Sequence, residues 1–169
     1  MKMNKIFGLQ NVVRTMEHRD VVVRFRSKVK LHGTNAGIYF DENGNAHPMK
    51  KSGIIPDGED NFGFAEYVHS REWPRYENIY VFGEWAGPGI QKGVAVSQIP
   101  EKTFFTFMAM NSDKELILNT GVLEDMFDVP TVPWFDPHPF TLDYKHRKTI
   151  LDQIDIINEN VEEIERCDP

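Results

Sequence analysis

Between Arg24 and Asn35 the chain reads Arg-Phe-Arg-Ser-Lys-Val-Lys-Leu-His-Gly-Thr-Asn. In an extended strand, residues two apart share a face, so Arg24, Arg26, Lys28 and Lys30 would form a cationic row. Four like charges repel unless water or an anion takes up their field. Such a row is either the charged guard of an exposed edge strand or a seat for a polyphosphate or nucleic-acid backbone. In the second case clustered cations also push one lysine toward its neutral, nucleophilic form.

Other constellations carry less. His18, His32, His47, His69, His138 and His146 show no i, i+4 pairing and no cysteine companions, so no metal site is expected. The glycine-rich run Gly87 to Gly93 contains Lys92 but lacks the spacing and hydroxyl of a phosphate-cradling loop, and reads as a turn. With Cys167 as the only cysteine, neither an internal disulfide nor a cysteine-rich zinc ribbon can form, which suits a reduced, cytoplasmic setting. No apolar run approaches the roughly 20 residues of a membrane span, and the charged start is not followed by the apolar stretch of a secretory signal.

The net charge of −7 argues against a polyanionic partner only until it is localised. Seven acids between Asp152 and Asp168 face Arg166 alone, so all but one of the net negative charges lie in the last 20 residues. The body is near neutral and can carry local basic patches.

The elements that would position these groups follow from period and punctuation. At 169 residues the chain has length for one domain, with a core large enough to fold without staples. Asp20 to Tyr39 alternates as strand, with Asp41 to Asn45 as turn. A helix is expected from Asn61 or Phe62 to Trp73, capped by Asp60 or Asn61 and ended by Pro74. Strands are expected at Ile79 to Trp85, Gly93 to Gln98 and Thr103 to Met110, then a hairpin turn into Glu115 to Leu118. A short helix near Val122 to Phe127 precedes the four-proline segment Asp128 to Asp143, expected to be a surface connection. Ile150, Ile154, Ile157, Val161 and Ile164 line one face of an amphipathic helix over 150–166. The fold class is α+β, with antiparallel β-sheets and flanking helices.

The order of residues carries a resemblance. Lys30-Leu31-His32-Gly33-Thr34-Asn35 resembles the nucleotidyl-lysine motif of ATP-dependent RNA ligases, most closely the phage family that seals nicks in duplex RNA. Asp60-Asn61-Phe62-Gly63-Phe64-Ala65 resembles a segment of phage members. Phe82 to Gly93 is similar to the family's third motif with its trailing glutamine, and Phe104-Phe105-Thr106-Phe107 to the aromatic strand after it. The likeness implies a nucleotidyltransferase (ATP-grasp-like ligase) domain that uses ATP with Mg2+ or Mn2+ and acts on RNA ends or nicked RNA duplex, in a phage-infected host's cytoplasm, with no membrane partner. Lys30 would attack the α-phosphate to form lysyl-AMP. His32 and Asn35 would serve the later sealing steps and the sugar-phosphate, Glu84 would accept from the ribose hydroxyl, and Phe107 would stack on adenine. Gln91 matches a family glutamine.

Two positions depart from the family. Lys50 and Lys51 stand where an arginine generally engages a phosphate, and Met108 follows Phe107 where relatives often carry aspartate. The acidic fourth motif and the lysine pair of the fifth do not occur before Pro169. The resemblance therefore implies a partial adenylation domain over 1–169, truncated or split, with a missing C-terminal segment as possible partner. A catalytically incomplete ATP/RNA-binding module, or a relative of DNA ligases and capping enzymes, is the alternative.

Overall fold

A computed structural model describes residues 22–25, 28, 30–91, 99–134, 140–144, 152, 155–156 and 159. Their order is β1 (Val22–Phe25), β2 (Thr34–Phe40), β3 (Ala46–Lys50), β4 (Gly53–Ile54), α1 (Phe64–Ser70), β5 (Ile79–Ala86), β6 (Thr103–Met110), β7 (Leu116–Ile117), α2 (Thr120–Phe127) and β8 (Phe140–Asp143). They fall into two compact units, one spanning Val29–Pro133 and the other built from residues flanking it on both sides. In the second unit β1 pairs antiparallel with β8, and Lys28 bridges to Trp134 with its ammonium 4.5 Å from the indole centroid. Among the described residues no helix is long and apolar enough to cross a membrane.

The first unit is a six-stranded sheet in the order β4-β3-β2-β5-β6-β7, every neighbouring pair antiparallel. Alternation sorts its two faces. Ala36, Ile38 and Phe40 of β2 share a face with Val81 and Trp85 of β5 and Phe104 and Ala109 of β6. That face is buried under Phe64, Ala65 and Val68 of α1 and Leu123 and Phe127 of α2. The opposite face carries Asn35 and Tyr39 of β2, Tyr80, Phe82 and Glu84 of β5, and Phe105 and Met108 of β6.

Local chemistry explains the joints. Asp41 closes the β2–β3 turn, its carboxylate accepting from the backbone N–H of Asn43 and Asn45 at 2.8 Å each, with His47 Nε2 3.0 Å away. At α1 the N-cap is Gly63, at φ 87°, without a side-chain cap. Asp60 reaches past it to accept from the Gly63 and Ala65 amides. Asn119 caps α2 through Val122 N–H at 3.3 Å.

Three expectations are corrected. The single strand from Asp20 to Tyr39 is two strands in two units, and Lys30 lies in the loop between them. Lys30, outside any strand, does not continue a strand-face row from Arg24, and Arg26 lies outside the described residues. β2 begins only at Thr34, after Gly33. The segment from Asp128 is more than a surface connection. Val129, Thr131 and Val132 are buried, Thr106 N–H donates to Pro130 at 2.8 Å, and Val132 N–H donates to Thr106 at 2.8 Å. The prolines leave enough free amides for a parallel bridge to β6, and β8 forms within the same segment. The strand expected at Gly93 to Gln98 and the apolar stripe of the last helix lie outside the described residues, although Asp152, Asp155, Ile156 and Glu159 are helical and exposed.

Candidate functional site

The Lys30–Asn35 loop reaches the end of β5 by an unusually close backbone approach. A Cβ built on Gly33 would lie 2.2 Å from the Trp85 carbonyl oxygen and 2.9 Å from Glu84 Cγ, separations that no side chain survives. Glycine is required here for lack of a side chain. With none in the way, Gly33 N–H donates to Glu84 Oε1 at 3.0 Å, and Gln91 Nε2 donates to the Gly33 carbonyl at 3.2 Å. Two residues more than 50 positions downstream thus clamp one residue, Gly33, by the peptide groups on its two sides.

Glu84 is half-buried, and burial raises its pKa above the ordinary carboxyl range, opposed by the Gly33 hydrogen bond and by the nearby charges of His32 and Lys30. Lys30 and His32 are both exposed, yet both act on the Glu84 carboxylate through space. Asn35 pairs with Glu84 across β2 and β5. Lys30, His32, Asn35, Glu84 and Gln91 are thereby gathered at one end of the sheet.

A carboxyl pKa raised on folding affects stability with a fixed sign. A carboxyl whose pKa rises on folding contributes stability that is complete below its unfolded pKa and is lost as pH climbs through the folded one. Glu84→Gln keeps an acceptor for Gly33 and removes the titration. Relative to wild type, its melting temperature should gain progressively as pH rises above the ordinary glutamate pKa of about 4.3. Differential scanning fluorimetry as a function of pH checks this, and a pH-independent offset would rule the ionisation out.

Phe107 sits at a register break. Glu84 pairs with Phe105 and Phe82 with Met108, so the bulge between Phe82 and Gly83 leaves Phe107 unpaired and half-buried between them. The aspartate-to-Met108 departure falls on the face that Phe82 and Glu84 share.

Lys50 and Lys51 meet this cluster only through Asn35, whose cleft they share. Lys50 pairs with Ala36 in register, on the helix-covered face, and its Nζ lies 2.8 Å from Glu59 Oε2. Lys51 is exposed in the β3–β4 turn. Both line an open cleft of about 500 Å³ with Thr34, Asn35, Ser52 and Asn61. Asn61, expected as a helix cap and as part of the Asp60–Ala65 run, had not been expected to line a site; it precedes Phe62 and Gly63, two successive residues at positive φ. Among the described residues no three His, Cys, Asp or Glu side chains group to hold a metal ion.

Comparison with known proteins adds to the geometry. The pattern of the family described as RNA ligase matches residues 23–165. Among curated proteins none matches the sequence. In fold, the chain is similar to a Naegleria gruberi RNA ligase with PPi at 18% identity and TM-score 0.56, over 86% of this chain and 44% of that one. Mutants of the Naegleria gruberi RNA ligase with ATP and Mn, and with AMP and Mn, match at 18% identity with TM-scores of 0.57 and 0.56 and the same coverage. The chain spans less than half the length of these structural relatives.

Proposed function

Because this chain belongs to the RNA ligase family, we propose that it is the ATP-dependent adenylation part of an RNA-joining enzyme, with Lys30 as the nucleotidyl acceptor. The single observation that carries this reading is the clamp on Gly33. Glu84 and Gln91, matched to the family only by order in the sequence, hold Gly33 through the two peptide groups that flank its Cα. In the proposed step the Lys30 ammonium gives up one proton to solvent, the resulting amine attacks the α-phosphorus of ATP, and the nitrogen sheds a second proton to solvent as the phosphoramidate forms. A phosphorus–nitrogen bond forms, the bond to the β-phosphate oxygen breaks, and pyrophosphate leaves.

Each remaining residue has a part that its placement supports. Glu84 accepts from a ribose hydroxyl, which would offset the cost of its burial. Phe107 offers a ring to adenine, a stack worth about 1–3 kcal/mol. Asn35 and His32 flank the sugar-phosphate and the later transfer of AMP to an RNA 5′-phosphate. Lys51, with Lys50 engaged by Glu59, meets phosphate oxygens as a point charge without arginine's fork. The described residues do not themselves form a metal site, and no step above passes through one. ATP is proposed to bind with Mg2+ or Mn2+ on its phosphates, as ATP and Mn occur together in the Naegleria gruberi mutant structure. The Lys30-to-Asn35 run favours the nick-sealing phage branch, and a segment beyond residue 169 is proposed to complete the site.

Incubation with ATP and Mg2+ followed by intact-mass measurement tests the assignment. One added AMP is expected on wild type and none on Lys30→Ala. The exposure of Lys30 favours a second reading, an ATP/RNA-binding module that transfers nothing. Calorimetric ATP binding without a mass gain would select it, and no ATP binding at all would sink both.

A further inference from the structure

The Asp60-to-Ala65 run contains a residue whose conformation the fold does not need. Phe62 sits at φ 57°, in the left-handed region, where a bulky side chain is strained. The residue is 52% exposed, so burial offsets at most part of that strain. The peptide is nonetheless held firmly. Trp85 Nε1 at 3.1 Å and Lys102 Nζ at 2.8 Å both donate to the Phe62 carbonyl. On either side, the Asp60 carboxylate accepts from Gly63 and Ala65, and the Asn61 carbonyl accepts from Phe64 N–H at 3.1 Å. Strain kept in place by so many hydrogen bonds marks a ring that is presented outward from a rigid mount.

What lies beside the ring indicates its ligand. The preceding residue, Asn61, lines the cleft of Lys50, Lys51, Ser52, Thr34 and Asn35. Its Nδ2 is buried and makes no hydrogen bond among the described residues. Cations, a hydroxyl and an amide suit a phosphate, and the exposed apolar residue that follows Asn61 in the chain suits the base attached to it. We propose that Phe62 is a stacking platform for a nucleobase of the RNA strand, whose adjoining phosphate enters the cleft against Lys51, Ser52 and Asn61. The inference rests on the RNA-joining reading above. It concerns a different base from the adenine of ATP. Trp85, which holds Phe62, faces the helix-covered side of the sheet, whereas Glu84 and its partner Phe105 share the other. Every base has a π-face, so the contact tolerates any sequence.

The test uses Phe62→Gly, because glycine adopts the left-handed region freely, together with Phe62→Trp. The probe is a short single-stranded RNA carrying 2-aminopurine, whose fluorescence falls on stacking. Phe62→Gly should keep or raise the melting temperature while RNA affinity drops about 5- to 100-fold and quenching is lost. Phe62→Trp should retain both. Unchanged RNA affinity in Phe62→Gly would overturn the stacking role alone. An equal loss of ATP affinity would also overturn it, by placing the ring in the ATP pocket. Failure of wild type to bind the RNA would sink the RNA reading and this inference with it, whether or not AMP transfer occurs.

Discussion

Gly33→Ala should lower AMP transfer to Lys30 by roughly 100-fold or more. The added methyl carbon would sit 2.2 Å from the Trp85 carbonyl, far inside contact distance. Trp85 is 3% exposed and held between Phe64, at 5.4 Å between ring centroids, and Tyr67, at 4.9 Å. β5 cannot retreat, so the loop must. Its withdrawal stretches the Gly33-to-Glu84 hydrogen bond and carries Lys30 and His32 away from the carboxylate they now influence. A displacement near 1 Å is enough to cost two orders of magnitude in a positioned reaction. Because the loop is partly exposed, the melting temperature should fall only slightly. Initial rates of AMP incorporation, read beside a thermal melt and an ATP titration, distinguish this from unfolding. Labelling at the wild-type rate would mean that the clamp does not position the amine.

Phe64→Ala should be the most damaging change to stability among those considered. Phe64 is fully buried at the start of α1, with centroids 5.4 Å from Trp85, 5.1 Å from Phe104 and 6.1 Å from Tyr67. Removing the ring leaves a cavity among three aromatic neighbours that α1, only seven residues long, cannot close by repacking. The expected loss is about 3–5 kcal/mol, a fall in melting temperature of roughly 6–20 °C for a chain of this length. Chemical denaturation with a fitted midpoint checks it. A loss below about 1 kcal/mol would show that the site collapses and that the cluster is not the keystone of the helix-covered face. Phe64 also anchors the loop that presents Phe62 and Asn61, so RNA binding should weaken with stability in this variant. Phe62→Gly should uncouple the two.

The two variants act on opposite faces of β5, and the strand's alternation makes that possible. Trp85 and Val81 point under the helices, while Glu84 and Phe82 point to the other side. One eight-residue strand therefore serves as a core element and as a wall of the proposed site. A lesion under the helices should register in melting temperature, and one at the loop should register in chemistry.

The strands at Ile79–Ala86 and Thr103–Met110 and the presence of both short helices were legible in the sequence because each is a local property. Apolar residues recur at period two or near 3.6, and Asp41 to Asn45, Pro74 and Gly87 to Gly89 punctuate them. The run from Lys30 to Asn35, with Glu84 and Gln91, was likewise written in order and type. Where periodicity alone was followed too far, as in joining Asp20 to Tyr39, it failed, since an alternating segment does not say with which strand it pairs.

Tertiary structure decided the rest, and always through contacts between distant parts of the chain. That Gly33 matters for the space a side chain would take, rather than for its backbone freedom, depends on Trp85 lying against it. The β5–β6 bulge that leaves Phe107 unpaired, the salt bridge that draws Lys50 to Glu59, and the pinning of Phe62 by Trp85 and Lys102 are equally invisible to local pattern. Register and close approach are set by which strands meet once the apolar face is buried. Spacing along the chain therefore determined the elements and the cast of reactive groups, and packing alone determined which of those groups face one another.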